Sequence, residues 1–287
     1  MEKPNREPLF PRNRREVFLD LLSHHKLEIE KGNLWSLLFA LPSLLLAYGY
    51  YVFSGLLPTL IEKGLWSLPL VDGVSMGESL YLFQIRNVLF ACLTLTNILL
   101  FLGLGGLYRL IQDLCFEKNA GESQPFFIGV KANAKEFVLS SLLFSAVCFF
   151  VNLVISYYSQ DFSSWISIVS IVIASVLLFM AAALLFIALP LFNLYRGSFF
   201  SLFKAAFILL YRSFFRNFGF LLLALFPVFC YLVPSLLFTS IFSILMVFFF
   251  LPYFVLLAVL NVDYLADRFI NEGRFPSLIN KGIHPRG

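Results

Sequence analysis

The sequence contains little charge. Asp, Glu, Lys and Arg make up only 13% of its 287 residues, whereas they form about 25% of a typical soluble domain. Hydrophobic residues account for 60% of the chain, including 36 Phe, and the mean hydropathy is +0.85. This composition excludes a soluble globular fold and indicates that lipid surrounds most of the surface.

Cysteine and histidine are also scarce, with four and three copies. Cys92, Cys148 and Cys230 fall in apolar stretches, Cys115 falls in a connection, and no two have metal-ligand spacing. We interpret them as small apolar packing residues. The three His residues lie near the two ends of the chain. No metal site and no cofactor is therefore expected.

The long apolar stretches contain no Asp, Glu, Lys, Arg or His. A proton- or sodium-coupled transporter normally carries an ionisable group within the membrane. A lipid-modifying enzyme would need paired carboxylates or a His–acid cluster near an interface, and the sequence has neither. We therefore predict no enzymatic activity and no ion coupling.

Small and polar residues in these stretches are predicted to serve helix packing. Asn97 and Asn152 are the most costly groups to place in lipid, so they should face other helices. Gly103, Gly105 and Gly106 lie in an apolar run without the following Lys-Ser or Lys-Thr of a phosphate-binding loop. Close approach of helices is their expected role.

The sequence is instead rich in apolar runs long enough to cross a bilayer, which needs roughly 20 residues of helix for a core of about 30 Å. The 46 uncharged residues between Arg216 and Asp263 are too many for one crossing. Pro234, Ser235 and the Thr239–Ser240 pair are predicted to supply a turn between two spans there. In all, six spans are predicted: Leu34–Ser54, Val88–Tyr108, Phe137–Ile155, Trp165–Phe192, Phe218–Val233 and Leu237–Leu260.

Lys and Arg are distributed unequally around these spans. Nineteen of the 21 fall on one side, including Lys118 and Lys204, and only Lys63 and Arg86 fall on the other. The positive-inside rule then places both termini in the cytosol. The predicted fold is an all-α cell-membrane protein with six transmembrane helices, a cytoplasmic leader (1–33), a membrane domain (34–260) and a cytoplasmic tail (261–287).

Amphipathic elbow helices are predicted before the first, third and fifth spans, each followed by a polar step at Asn33, Asn133 or Asn217. In the last elbow, an apolar stripe of Phe199, Phe203, Phe207 and Leu210 is predicted to face away from Lys204 and Arg212. Leu107-Tyr108-Arg109 matches Leu194-Tyr195-Arg196, which suggests a threefold repeat of elbow and hairpin. Chance similarity between Leu- and Phe-rich segments is the alternative.

Cations near the elbows are predicted to contact the anionic inner leaflet or a partner protein. Nucleic acid is not expected, because these cations alternate with Phe and Leu and adjoin spans. The candidates are Lys131, Lys135, Arg196, Lys204, Arg212 and Arg216.

Three short motifs carry a resemblance to a family. They are Asn33-Leu34-Trp35 with a Leu41-Pro42 end, Gly103-Leu104-Gly105-Gly106-Leu107-Tyr108, and Phe126-Phe127-Ile128-Gly129-Val130-Lys131. The chain resembles the YesL-like family of bacterial multi-pass membrane proteins of unknown function. It departs from the family by a long insertion between Pro42 and Gly103. The resemblance implies an accessory role beside ATP-driven carbohydrate uptake, and it carries over no catalytic or ligand residue.

Three functions are weighed on these grounds. The favoured one is a non-catalytic accessory or scaffold subunit with a membrane-protein partner or a second copy of itself. The alternative is a permease-like subunit that couples to an ATPase through the 193–216 helix. Lys204-Ala205-Ala206 resembles the Glu-Ala-Ala coupling segment of importer permeases, although the acid is absent and Leu210 replaces the expected Gly. A lipid-modifying enzyme is disfavoured.

Overall fold

The computed structural model of this protein describes residues 13–71, 74–75, 77–116, 124–158, 164–229 and 236–283. Leu70–Val71 and Val74–Ser75 pair as a short antiparallel β-hairpin, β1 and β2, with Leu70 opposite Ser75. The rest of the regular structure in these ranges is helical. The α-helices are α1 (Arg14–His24), α2 (Lys26–Glu62), α3 (Glu78–Cys115), α4 (Gln124–Ala132), α5 (Ala134–Tyr158), α6 (Trp165–Leu194), α7 (Phe199–Arg212), α8 (Phe214–Phe229), α9 (Leu236–Ala266) and α10 (Glu272–Arg274).

The helices confirm an all-α, multi-pass membrane protein. Within the described residues, five helical stretches are long and apolar enough to cross a membrane: α2, α3, α5, α6 and the stretch Phe248–Arg274. A sixth crossing is obtained if the bent pair α7 and α8 counts as one span. The predicted fifth span falls on α8, and its end from residue 230 lies outside the described residues.

The first two long helices extend well past the predicted spans. α2 and α3 have 37 and 38 residues, or about 55 Å of helix, against a bilayer core of about 30 Å. Backbone hydrogen bonding continues into polar sequence, so a helix does not end where its apolar run ends. Arg86, predicted in an outer connection, lies inside α3, and Cys115 is the last residue of that helix rather than part of a loop.

The predicted turn of the last hairpin is partly wrong. Thr239 and Ser240 lie inside α9, which begins at Leu236. Pro234 and Ser235, the other predicted turn residues, lie outside the described residues, as does Lys118. The helix runs through Thr239 and Ser240 because apolar, helix-compatible residues follow them without interruption.

Three elbows are present; the second breaks at the predicted polar step, Asn133, whereas the first and third break before Asn33 and Asn217. α1 ends before α2 at His25, α4 ends before α5 at Asn133, and α7 ends before α8 at Ser213. The last pair is bent by 99°. Asn33 lies within α2, and Asn217 lies in the first turn of α8.

The chain forms two compact units. One contains Leu37–Gly103 and Lys135–Ala182, which are segments of α2, α3, α5 and α6. The other contains Met1–Ser36, Leu104–Ala134 and Ala183–Gly287. In the described part of this second unit, the three elbow helices share one core with α8, α9 and the adjoining ends of α3 and α6, and its fully buried side chains include Leu21, Tyr108, Phe126, Phe186, Leu221 and Leu256.

Candidate functional site

The side chain of Asn217 holds the bend between α7 and α8. It is buried, and its amide donates to the carbonyls of Leu209 and Leu210 at 3.0 and 3.4 Å. These carbonyls belong to the last turn of α7, where helical N–H donors run out; the Leu209 carbonyl also accepts from the Ser213 N–H at 3.2 Å. Asn217 therefore satisfies the end of one helix from the start of the next, which stabilises the sharp bend.

Two helical hairpins each have an Asn–Asn hydrogen bond at the base. Asn133 donates to the side-chain carbonyl of Asn193 at 2.6 Å, and Asn261 donates to that of Asn217 at 2.9 Å. In each pair, one Asn lies at an elbow and the other near the end of the returning helix. This correspondence supports the predicted repeat for the second and third hairpins. Gly106 occupies the matching position of the first, because Leu-Tyr-Arg follows both Gly106 and Asn193.

An ionic network joins the two ends of the described chain. The guanidinium of Arg14 in α1 donates to the Asp267 carboxylate at 2.7 Å and lies 3.7 Å from that of Asp263. Asp263 is buried, with 2% of its surface exposed. We call Arg14, Asp263, Asp267, Asn271 and Tyr195 the Arg14 network. Sequence reasoning did not bring these residues together, because Arg14 lies 253 positions from Asp267.

The remaining members extend this network to the end of α6. Asn271 donates to Asp267 at 2.9 Å and accepts from the Tyr195 hydroxyl at 2.6 Å. Burial, with the nearby charges of Asp263 and Asp267, raises the pKa of Tyr195, which keeps its hydroxyl protonated as the donor. Asp267–Asn271 is a π-helical turn, an irregularity that often marks functional positions.

The C-terminal tail closes over the end of α3 beside this network. Arg14 donates to the Lys281 carbonyl at 3.3 Å, and the Asn280 N–H donates to Asp267 at 3.2 Å. Gly282 adopts φ +74° directly against the carbonyl of Cys115, where a Cβ would clash. Only glycine fits this close approach with a left-handed backbone.

An open cleft of about 680 Å³ lies where α6 ends, between α7 and the π-helical turn. We call it the elbow cleft. Its polar lining includes Tyr195, Arg196, Ser201 and Arg274, and its walls are largely apolar. Among the described residues that line it, none is acidic. The cleft is therefore both basic and apolar, which suits an amphipathic anion.

The exposed surface of α7 differs from the predicted stripe. Phe199 and Leu210 are buried in the protein, whereas Phe200 is 81% exposed and Tyr211 is 82% exposed. Helical spacing places the exposed residues on one side, and Lys204 lies among them rather than opposite. We call this surface the elbow face; it consists of Phe200, Lys204, Phe207, Ile208 and Tyr211.

The six cations singled out in the sequence occupy different surroundings. Lys131, Lys135 and Lys204 are exposed. Arg196 lines the elbow cleft. Two others stack on aromatic rings: Arg212 lies 5.1 Å from the Phe269 ring centre, and Arg216 lies 3.5 Å from that of Tyr264.

Arg216 also donates to the side chain of Asn261 at 3.1 Å, so it forms part of the base of the third hairpin.

Asn97 and Asn152 each bond to other helices of their compact unit. Asn97 accepts from Ser43 of α2 and donates to Ser145 of α5, both at 3.2 Å. Asn152 donates to Asn87 at 3.2 Å. Next to this second pair, Arg86 of α3 donates to Ser156 of α5. These bonds link the helices of the unit.

The glycines of α3 lie in two kinds of surroundings. A Cβ on Gly106 would lie 2.7 Å from the ring of Phe126 in α4. The carbonyl of Gly105 faces Gly129 of α4, where a Cβ would lie 2.8 Å away. Gly103 is buried in α3. Gly105 and Gly106 therefore allow α3 to approach the elbow helix α4 closely.

Within the described residues, no group of three or more His, Cys, Asp and Glu side chains could hold a metal ion. Cys92 is exposed, Cys148 is partly exposed and Cys115 is buried; all three are free thiols. Comparison with known protein families, curated proteins and solved structures finds no match to this chain.

Proposed function

We propose that this protein is a non-catalytic accessory or scaffold subunit of the cell membrane, with both termini in the cytosol. The observation that carries the proposal is the elbow face, where Phe200, Phe207 and Tyr211 are exposed beside Lys204. Exposed aromatic residues next to a cation suit a helix that lies in a lipid interface or against another membrane protein. The resemblance to YesL-like proteins suggests an ATP-driven carbohydrate-uptake system as the partner.

The proposed position of α7 predicts a periodic exposure pattern. Spin labels placed singly along 199–212 should report lipid contact at positions 200, 207, 208 and 211, with burial at positions 206 and 209. Replacing Lys204 and Arg212 by Glu should weaken the binding of the elbow face to anionic vesicles, because each cation contributes about 1 kcal/mol of attraction near such a surface. Equal water exposure at every position would contradict an interfacial helix.

Association with a partner is tested by purifying the native complex in mild detergent. Charge reversal at Lys131, Lys135, Lys204 and Arg212 should reduce the amount of partner recovered. Asn97→Ala is the control. The described hydrogen bonds of Asn97 lie within its own compact unit, to Ser43 and Ser145, so this variant should leave association with the partner intact. Purified protein that alone moves a sugar into liposomes, or turns over a lipid, would refute an accessory role.

A permease-like subunit that couples to an ATPase through α7 is the second candidate. In its favour, α7 is amphipathic and turns by 99° into α8. However, Ala206 is fully buried, so Lys204 is the main residue of the Lys204-Ala205-Ala206 segment that could meet an ATPase. ATP-dependent uptake by a reconstituted complex, abolished by Lys204→Glu with the ATPase still bound, would favour this candidate.

A further inference from the structure

The elbow cleft contains two cations that no described acid neutralises. Arg196 and Arg274 both line it, and neither forms an ion pair with any residue in the described ranges. Both are exposed to solvent. Arginine matches the geometry of phosphate oxygens through its planar set of donors. The cleft is therefore electrostatically complementary to a phosphate group.

The walls of the cleft are largely apolar, so its ligand should carry an apolar group as well as a phosphate. Leu202 of α7 lines the cleft together with Phe269 and Phe275. A free phosphate ion would leave these surfaces exposed to water, whereas a hydrocarbon chain next to the phosphate would cover them. The combination favours a ligand with a phosphate and an adjoining apolar chain.

The cleft also lies beside a helix suited to the lipid interface. Ser201 and Leu202 of α7 line it, and the same helix carries the exposed aromatic residues of the elbow face. Phospholipid headgroups are therefore available at the level of the cleft without crossing the bilayer core. Phe269 and Ile270 of the π-helical turn also line the cleft.

We propose that the elbow cleft binds one anionic phospholipid, with Arg196 and Arg274 on its phosphate and the start of an acyl chain against Leu202, Phe269 and Phe275. The site is independent of the proposed partner. It concerns a ligand of the isolated chain, so its test needs no partner protein.

The experiment measures lipid bound to the purified full chain in a zwitterionic detergent by native mass spectrometry. Short-chain phosphatidylglycerol is the probe, and short-chain phosphatidylcholine and inorganic phosphate are the comparisons. One phosphatidylglycerol should bind per chain in preference to either. Arg196→Gln or Arg274→Gln should each weaken binding about fivefold, and the double variant about twenty-fivefold, because about 1 kcal/mol per cation corresponds to roughly a fivefold effect.

Two matched pairs of variants separate the cleft from general surface charge. Arg268 is exposed near the cleft but does not line it, so Arg268→Gln should change binding less than twofold. A Cβ on Gly273 or on Gly49 meets no heavy atom within 4 Å, but only Gly273 lines the cleft. Gly273→Phe should therefore block binding, and Gly49→Phe should preserve it.

Three results would overturn the proposal. The first is unchanged phosphatidylglycerol binding in the double arginine variant, with the melting temperature showing that the variant is folded. The second is an equal loss in Arg268→Gln, which would indicate unspecific attraction. The third is binding of inorganic phosphate without phosphatidylglycerol, which would assign the site to a soluble anion.

Discussion

The side-chain amide of Asn33 donates a hydrogen bond to the main-chain carbonyl of Phe248 at 2.7 Å. That carbonyl lies four residues before Pro252, which is inside α9 and has no N–H to offer it. A side chain from α2 thus replaces the helical bond that proline removes. In a membrane protein such a carbonyl must find its partner within the protein, because lipid offers no donor.

The same compensation occurs once more in the last hairpin. Pro227 lies inside α8, and the carbonyl four residues earlier, that of Leu223, accepts from the Tyr253 hydroxyl of α9 at 2.9 Å. At Pro227 of α8 and Pro252 of α9, a neighbouring helix therefore supplies the hydrogen bond that proline removes.

Asn33→Ala should lower the free energy of unfolding by about 1–2 kcal/mol, because it removes the donor to the Phe248 carbonyl. Pro252→Ala restores a helical N–H for that carbonyl, so Asn33→Ala should cost clearly less in that background. The wild type, the two single variants and the double variant form a double-mutant cycle. The free energy of unfolding of each is measured in mixed detergent and SDS micelles by circular dichroism. A cost that is independent of position 252 would refute the link.

Arg14→Gln should release the tail and α1 from the end of α3. Removing one partner of a largely buried ion pair costs about 3 kcal/mol, since Asp263 and Asp267 are left without their counter-charge. In the wild-type protein Cys115 is only 1% exposed. In Arg14→Gln it should react with a maleimide at least about tenfold faster. The labelling rate is measured with the other three cysteines replaced by Ser.

Arg15→Gln is the control for this variant. Arg15 is the exposed neighbour of Arg14 in α1 and belongs to no ion pair among the described residues. The Arg15→Gln variant should therefore leave the labelling rate of Cys115 unchanged. Equal rates in wild type and Arg14→Gln would show that the Arg14 network does not hold the tail.

Gly129→Ala should destabilise the contact between α3 and α4. The added methyl group would meet the Cβ of Arg109 and would lie 2.8 Å from the Gly105 carbonyl, so the two helices must move apart. We expect a loss of about 1–3 kcal/mol. Gly49→Ala should be neutral or stabilising, since its methyl group meets nothing within 4 Å and alanine favours helix. Thermal unfolding in detergent compares the two.

The distribution of Lys and Arg predicts the orientation of the chain in the membrane. In a cysteine-free background, Trp66→Cys should react with an impermeant maleimide added to intact cells. Lys204→Cys should react only after the cells are permeabilised. Both positions are exposed on the protein, so a difference in labelling reports the side of the membrane. The reverse pattern would refute the proposed orientation.

The sequence by itself determined where the long helices lie. Hydrocarbon thickness sets the minimum length of a span, so each predicted span falls largely on a helix of the structure. The sequence also indicated the elbows, because the helical period of Phe and Leu in α7 is a local property. It could not set helix ends, since backbone hydrogen bonding continues past the apolar run; Arg86 therefore lies in α3.

Only the tertiary structure decided which surfaces meet. In α7, apolar residues occupy both sides of the helix, so Phe199 and Phe200 could not be assigned to the core and the surface from their spacing. The ion pair of Arg14 with Asp267 joins residues 253 positions apart, and no local pattern encodes such a contact. The elbow cleft likewise forms only when α7 and the π-helical turn fold together beside the end of α6.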